Sequence, residues 1–97
     1  MKVVLVRLTS GEQFVAEESG DANGALYVLN PIALVPDREQ SSVNFVPWVP
    51  FGKEDSEVAV QKTNIVYVTE ANAELERNYK EIRSPIITPN NGGKIIT

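Results

Sequence analysis

The sequence has neither cysteine nor histidine. Without cysteine there is no disulfide frame and no thiolate nucleophile. Without histidine the chain lacks the commonest metal ligand and the side chain that titrates near neutrality. GxGxxG, P-loop and nucleophile-elbow patterns are missing as well. Very little is left for general acid–base or nucleophilic chemistry. The expectation is a protein that is not an enzyme and takes no cofactor. No apolar run approaches the ~20 residues that span a bilayer. The opening MKVVLVRLT is too short in its apolar part, and too soon charged, for a signal peptide. The expected setting is the cytoplasm, with no membrane partner.

What is present is an ordinary globular balance. The 97 residues amount to one domain, 42% hydrophobic and 23% charged. So short a chain leaves a large share of its surface unburied. Nine basic residues stand against 13 acidic ones, a net charge of −4. That argues against a broad nucleic-acid-binding surface and leaves a local basic patch open.

Lys2 to Thr9 alternates as a strand, with Val4, Val6 and Leu8 on one face and Val3, Leu5 and Arg7 on the other. Both faces are mostly apolar, so both should be covered. Gly11 marks a turn, and Gln13 to Ser19 returns as the second strand of a hairpin. A Gly20–Gly24 turn cluster leads to a long run, Ala25 to Val35, where Asn30-Pro31 predicts a bend or bulge. Glu57 to Gln61 and Ile65 to Val68 are two short strands about the tight connection Lys62-Thr63-Asn64.

The period changes after Thr69. Leu75, Tyr79 and Ile82 fall at helical spacing, Thr69 or Asn72 can cap the helix, and Pro85 stops it. The tail, 84–97, holds two prolines and two glycines and is expected as an extended or mobile arm. The predicted fold is mainly β: a small, strongly bent, five-stranded antiparallel barrel with one C-terminal helix, over residues 1–83. One small barrel has one inside, yet several strands are apolar on both faces. The surplus predicts a homo-oligomer.

Candidate sites are few. Glu17 and Glu18 are adjacent on a strand and point to opposite faces. Glu54, Asp55 and Glu57 have the oxygens for a divalent cation, but a solvated loop explains them better, and no metal is expected. Gln61, Lys62, Thr63 and Asn64 put a cation, two amides and a hydroxyl in one tight connection. Such groups suit phosphates and base edges, though spacing alone favours a plain turn. The stretch NFVPWVPFG, 44–52, holds two prolines and the sole tryptophan. The prolines require a broken, bulged or edge strand. Phe45, Val49 and Phe51 share one side, expected to pack on the barrel. Val46 and Trp48 share the other, expected to face the helix or a neighbouring subunit. Phe45, Trp48, Phe51, Val66 and Val68 are thus the candidate interface residues. A base-stacking platform and a proline-rich ligand are the alternatives for Trp48.

The stretches VVLVRLTSGEQFVAEESGDANGALYVLN and VAVQKTNIVYVTE have the order of the two motifs of the Sm/Sm-like (LSm, Hfq-related) family. The resemblance covers Lys2 to about Glu70. Gly11 sits where the family's turn glycine sits, and Lys62 lies near the family's basic position. There are departures. Ala16 replaces a strand glycine. The base-contacting asparagine falls near Ala25 or Leu26, leaving Asp21 and Asn23 as the nearest polar candidates. The N-terminal helix is missing and a C-terminal one stands in its place. With VPWVPF in the middle, the chain resembles most the Sm-like proteins attributed to marine phages of cyanobacteria. The resemblance implies a ring that binds single-stranded nucleic acid, RNA before DNA, through Asp21, Asn23, Gln61, Lys62, Thr63 and Asn64. The alternative is a structural or adaptor ring, also of phage origin, that binds protein instead.

Overall fold

The computed structural model describes residues 1–39 and 42–84. Of the expected tail, all but Ser84 lies outside the described residues.

Strands β1 (Val3–Leu8) and β2 (Gln13–Ala22) form the predicted hairpin, with Leu5 opposite Val15. β2 continues into β3 (Ala25–Pro36) through Asn23 and Gly24, whose φ angles are 55° and 77°. Two positive φ values in a two-residue loop match the twist of the flanking strands, which is why Asn-Gly occupies it.

β3 pairs with β2 along one edge and divides the other edge between two strands. β5 (Glu57–Gln61) takes Ala25–Leu29, and β4 (Val43–Pro47) takes Ile32–Pro36. Asn30, at φ 52°, stands between the two halves, and the β2–β3 register shifts opposite it, between Val15 and Glu17. The bend expected at Asn30-Pro31 is there. β6 (Ile65–Glu70) pairs with β1. A 3₁₀ turn, Lys62–Asn64, joins β5 to β6, but the two strands do not pair with each other.

The result is one antiparallel sheet of six strands in the order β4-β3-β2-β1-β6, with β5 beside β3. The sixth strand arises because 43–47 pairs with the far half of β3 before the prolines interrupt it. The sheet is not closed, since an unpaired seam separates β5 from β6.

Both faces of β1 are covered. Val4, Val6 and Leu8 pack with Phe14, Leu26 and Val28 on the inner face. Val3 packs with Val15, Ile32 and Tyr79 on the other, against helix α1 (Ala73–Arg83). The Asn72 side chain caps α1, accepting from the Leu75 N–H at 2.8 Å. Glu74 and Glu76 lie in the first turn and Lys80 and Arg83 in the last, the favourable order for the helix dipole. Thr69, the other candidate cap, lies in β6. The apolar stripe fades at its end: Tyr79 is buried, while Ile82 is exposed. No helix among the described residues is long and apolar enough to cross a membrane.

The two sides of the proline-rich stretch are exchanged relative to expectation. Phe45 lies opposite Leu34, and both pack on the helix side of the sheet. Trp48 therefore turns to the inner face, where it stacks on Phe14 at 4.6 Å between centroids. The register of β4 on β3 decides this, and alternation alone could not. Phe51, grouped with Phe45 by parity, is fully exposed. It follows the point where Pro47 ends the strand, in a turn closed by Gly52 N–H to Val49 O at 3.0 Å.

Tyr79 ties the helix to the bend. Its hydroxyl donates to the carbonyls of Asn30 (3.0 Å) and Leu29 (3.3 Å). Burial first, and the charge of Glu17 second, push its pKa up to about 12. The neutral phenol is therefore favoured in the fold. Its contribution is complete below pH 10 and is lost as pH rises through 12, because the unfolded chain ionises first. Tyr79→Phe should lower stability by about 1–2 kcal/mol at neutral pH, as the hydrogen bonds are lost. It should also remove roughly 2 kcal/mol of the alkaline loss between pH 10 and 12. Urea denaturation of both proteins across that range is the measurement.

Candidate nucleic-acid interface

Three connections meet at one end of the sheet. The Lys62 N–H donates to Gly24 O at 3.0 Å, joining the 3₁₀ turn to the β2–β3 turn. The Thr9 N–H donates to Asn64 O at 2.8 Å, joining it to the β1–β2 turn. Backbone bonds thus fix where Lys62 stands. Its ammonium forms an ion pair with the Asp21 carboxylate, and both side chains are about half exposed. Asp21 sits in the ladder opposite Leu26.

The other candidates are distributed around this pair. Gln61 ends β5 opposite Ala25. Thr63 and Asn64 complete the 3₁₀ turn, which buries none of its residues. Asn23 is exposed and occupies a left-handed turn position, so the turn chemistry accounts for it. Beside the ion pair lies a groove of about 340 Å³, lined by Glu18, Asp21 and Lys62 and by the apolar Leu26, Ile65 and Val68. A cation next to an apolar strip can hold a phosphate and let a base lie against the protein.

The interface candidates fall in two places. Val66 and Val68 are exposed on β6, 57% and 40%. Val68 lies opposite Val6, which is fully buried on the inner face. Its exposure is therefore a consequence of the open seam. Phe45 and Trp48 pack within the chain, and Phe51 projects.

The densest acidic group does not converge. Glu54 and Asp55 face Arg83, at 3.0 and 3.3 Å, and Glu57 accepts from the Ser19 hydroxyl. Among the described residues, no cluster of three ligating side chains could hold a metal ion. A separate polar centre escaped the sequence reading. Asn30 Nδ2 donates to Asp55 Oδ1 at 2.9 Å, and the Asp55 N–H donates to Asn30 Oδ1 at 3.0 Å. Asn30-Pro31 signalled the bend, but nothing local points to a partner 25 residues away.

No protein-family model and no curated protein matches the chain.

If turn geometry is the work of Asn23, Asn23→Gly should leave stability nearly unchanged. Asn23→Ala should cost about 1 kcal/mol, the price of a left-handed alanine. Urea midpoints of the three proteins are the measurement, and an Asn23→Ala midpoint equal to the parent's would show that the left-handed turn does not select this residue.

Proposed function

We propose that this chain is an Sm-like subunit that assembles into a ring and binds single-stranded nucleic acid, RNA before DNA, in RNA or DNA processing. The observation that carries the reading is the seam. β5 and β6 are consecutive, joined by three residues, and yet each pairs elsewhere. Each keeps one edge free, and inner-face Val68 stays exposed between them. A neighbour's strand laid along such an edge completes the bent barrel. Repeated head to tail, that contact closes a ring. Lys62, at the turn between the two edge strands, is then repeated about one axis. Several cations converge although each subunit is acidic. The Sm-like order of the two motifs agrees with this reading, and Lys62 falls near the family's basic position.

A second reading, an adaptor ring that binds protein, draws on the net charge of −4 and on Phe51, fully exposed on its turn. It requires the same assembly and no affinity for nucleic acid at physiological salt.

Light scattering combined with anisotropy of labelled oligo-U, oligo-A and single-stranded DNA, at low and physiological salt, separates the two. The nucleic-acid reading expects salt-sensitive binding by an oligomer. Lys62→Ala should weaken it and flatten the salt dependence. Parent-like binding by that variant would remove the site assignment. Val68→Lys places a charge in the seam and should shift the mass to that of the monomer. An unchanged mass would show that assembly uses another surface.

A further inference from the structure

The Asp21–Lys62 pair bears on how such a site would discriminate, an inference that rests on the nucleic-acid reading above. We infer that Asp21 is a built-in competitor for Lys62, which a backbone phosphate must displace, and that it confines binding to strands long enough to engage several subunits at once.

The cation is not bare in the subunit, because a carboxylate already occupies it. Both side chains are about half exposed, so an incoming anion can reach the pair. The backbone on either side is held independently of it. Lys62 is fixed through Gly24 O, Asn64 through the Thr9 N–H, and Asp21 through the β2–β3 ladder. The pair can therefore open by side-chain movement alone. Once a phosphate oxygen takes its place, the Asp21 carboxylate stands beside a like charge and repels it. Glu18, lining the same groove, adds to that repulsion, although Lys2 lies 3.8 Å from it. Asp21 thus opposes the ligand it was expected to contact.

Each contact is weakened by the exchange of one anion for another. A mononucleotide, which meets one Lys62, gains too little. A strand that crosses several subunits sums several small gains, so length is selected. The salt dependence is shallower than the number of contacts suggests, because each Lys62 begins neutralised by protein.

The test is Asp21→Asn, close in shape and able to keep the turn, beside the parent and the double variant Asp21→Asn/Lys62→Ala. All three are first sized by light scattering. Anisotropy is then read for oligo-U of increasing length over a range of salt. Asp21→Asn should tighten binding about two- to fivefold for each contacted subunit. It should also steepen the salt dependence and shorten the minimal length bound, and the double variant should lose the gain. If the parent binds and Asp21→Asn binds equally or more weakly, Asp21 is a ligand or a support and the competitor role falls alone. If all three assemble and none binds any length at low salt, the nucleic-acid reading falls and the competitor role with it.

Discussion

Asn30 stands left-handed in the middle of β3, at φ 52°, and the sheet is apportioned around it. The residues before it carry β5 and those after it carry β4. A left-handed asparagine costs on the order of 1 kcal/mol, so something must hold it there. Its side chain exchanges two hydrogen bonds with Asp55, itself left-handed at φ 64°. Its carbonyl and that of Leu29 accept from the buried Tyr79 of the helix. Arg83, one helical turn on, reaches the same Asp55 at 3.3 Å. Each such bond contributes about 0.5–1.5 kcal/mol, so the set outweighs the strain. Sheet, helix and the connection before β5 are fastened at one point.

The bend has a geometric consequence at the other end of the molecule. β5 lies beside β3 and β6 beside β1, four strand spacings apart along the sheet. In a flat sheet that is roughly 19 Å. Four residue steps from Gln61 to Ile65 reach at most about 14 Å when fully extended, and the 3₁₀ turn between them is far from extended. The connection is possible only if the sheet curls until its ends nearly meet. The bulges in β2 beside Asn30 supply that curl. The inner face becomes the dry core of Phe14, Val28 and their neighbours, with Trp48 lying over Phe14. The ends approach without pairing, and the seam is what remains.

Much of this was legible in the chain. Alternation in β1 placed Val4, Val6 and Leu8 on one covered face and Val3 on the other, because a strand's period of two is set by its own residues. The Gly20–Gly24 cluster announced the turn and Asn30-Pro31 the bend through local backbone chemistry, but β2 runs on through Gly20 to Ala22, paired with β3, and only Asn23 and Gly24 make the turn. The helix was readable from its stripe and its Asn72 cap. What alternation could not supply is register. It separated Phe45 from Trp48 correctly but assigned the wrong one inward, because that depends on which residue of β3 lies opposite. The Asn30–Asp55–Arg83 centre was invisible for the same reason: its members meet only after β3, the loop and the helix are in place. At the candidate site, the order of turns made Lys62 prominent, while its neutralising partner Asp21 is a tertiary fact.

That partner changes what one copy of the chain can do. An exposed lysine–phosphate contact is worth about 1 kcal/mol or less, and here it must first replace a lysine–carboxylate contact of similar worth. Outside this neutral pair the chain carries a net −4 and repels a polyanion at long range. A lone copy would therefore hold a nucleic acid poorly, however well the turn is shaped. The same fold that positions Lys62 also leaves the seam open on either side of it, since the turn bearing Lys62 is the link between the two unpaired edges. In the ring reading, filling the seam and multiplying the cation would be one event: a strand added at β5 or β6 would bury the exposed Val68 and bring a second Lys62 turn alongside the first, so that affinity would be a property of the assembly and position a property of each copy.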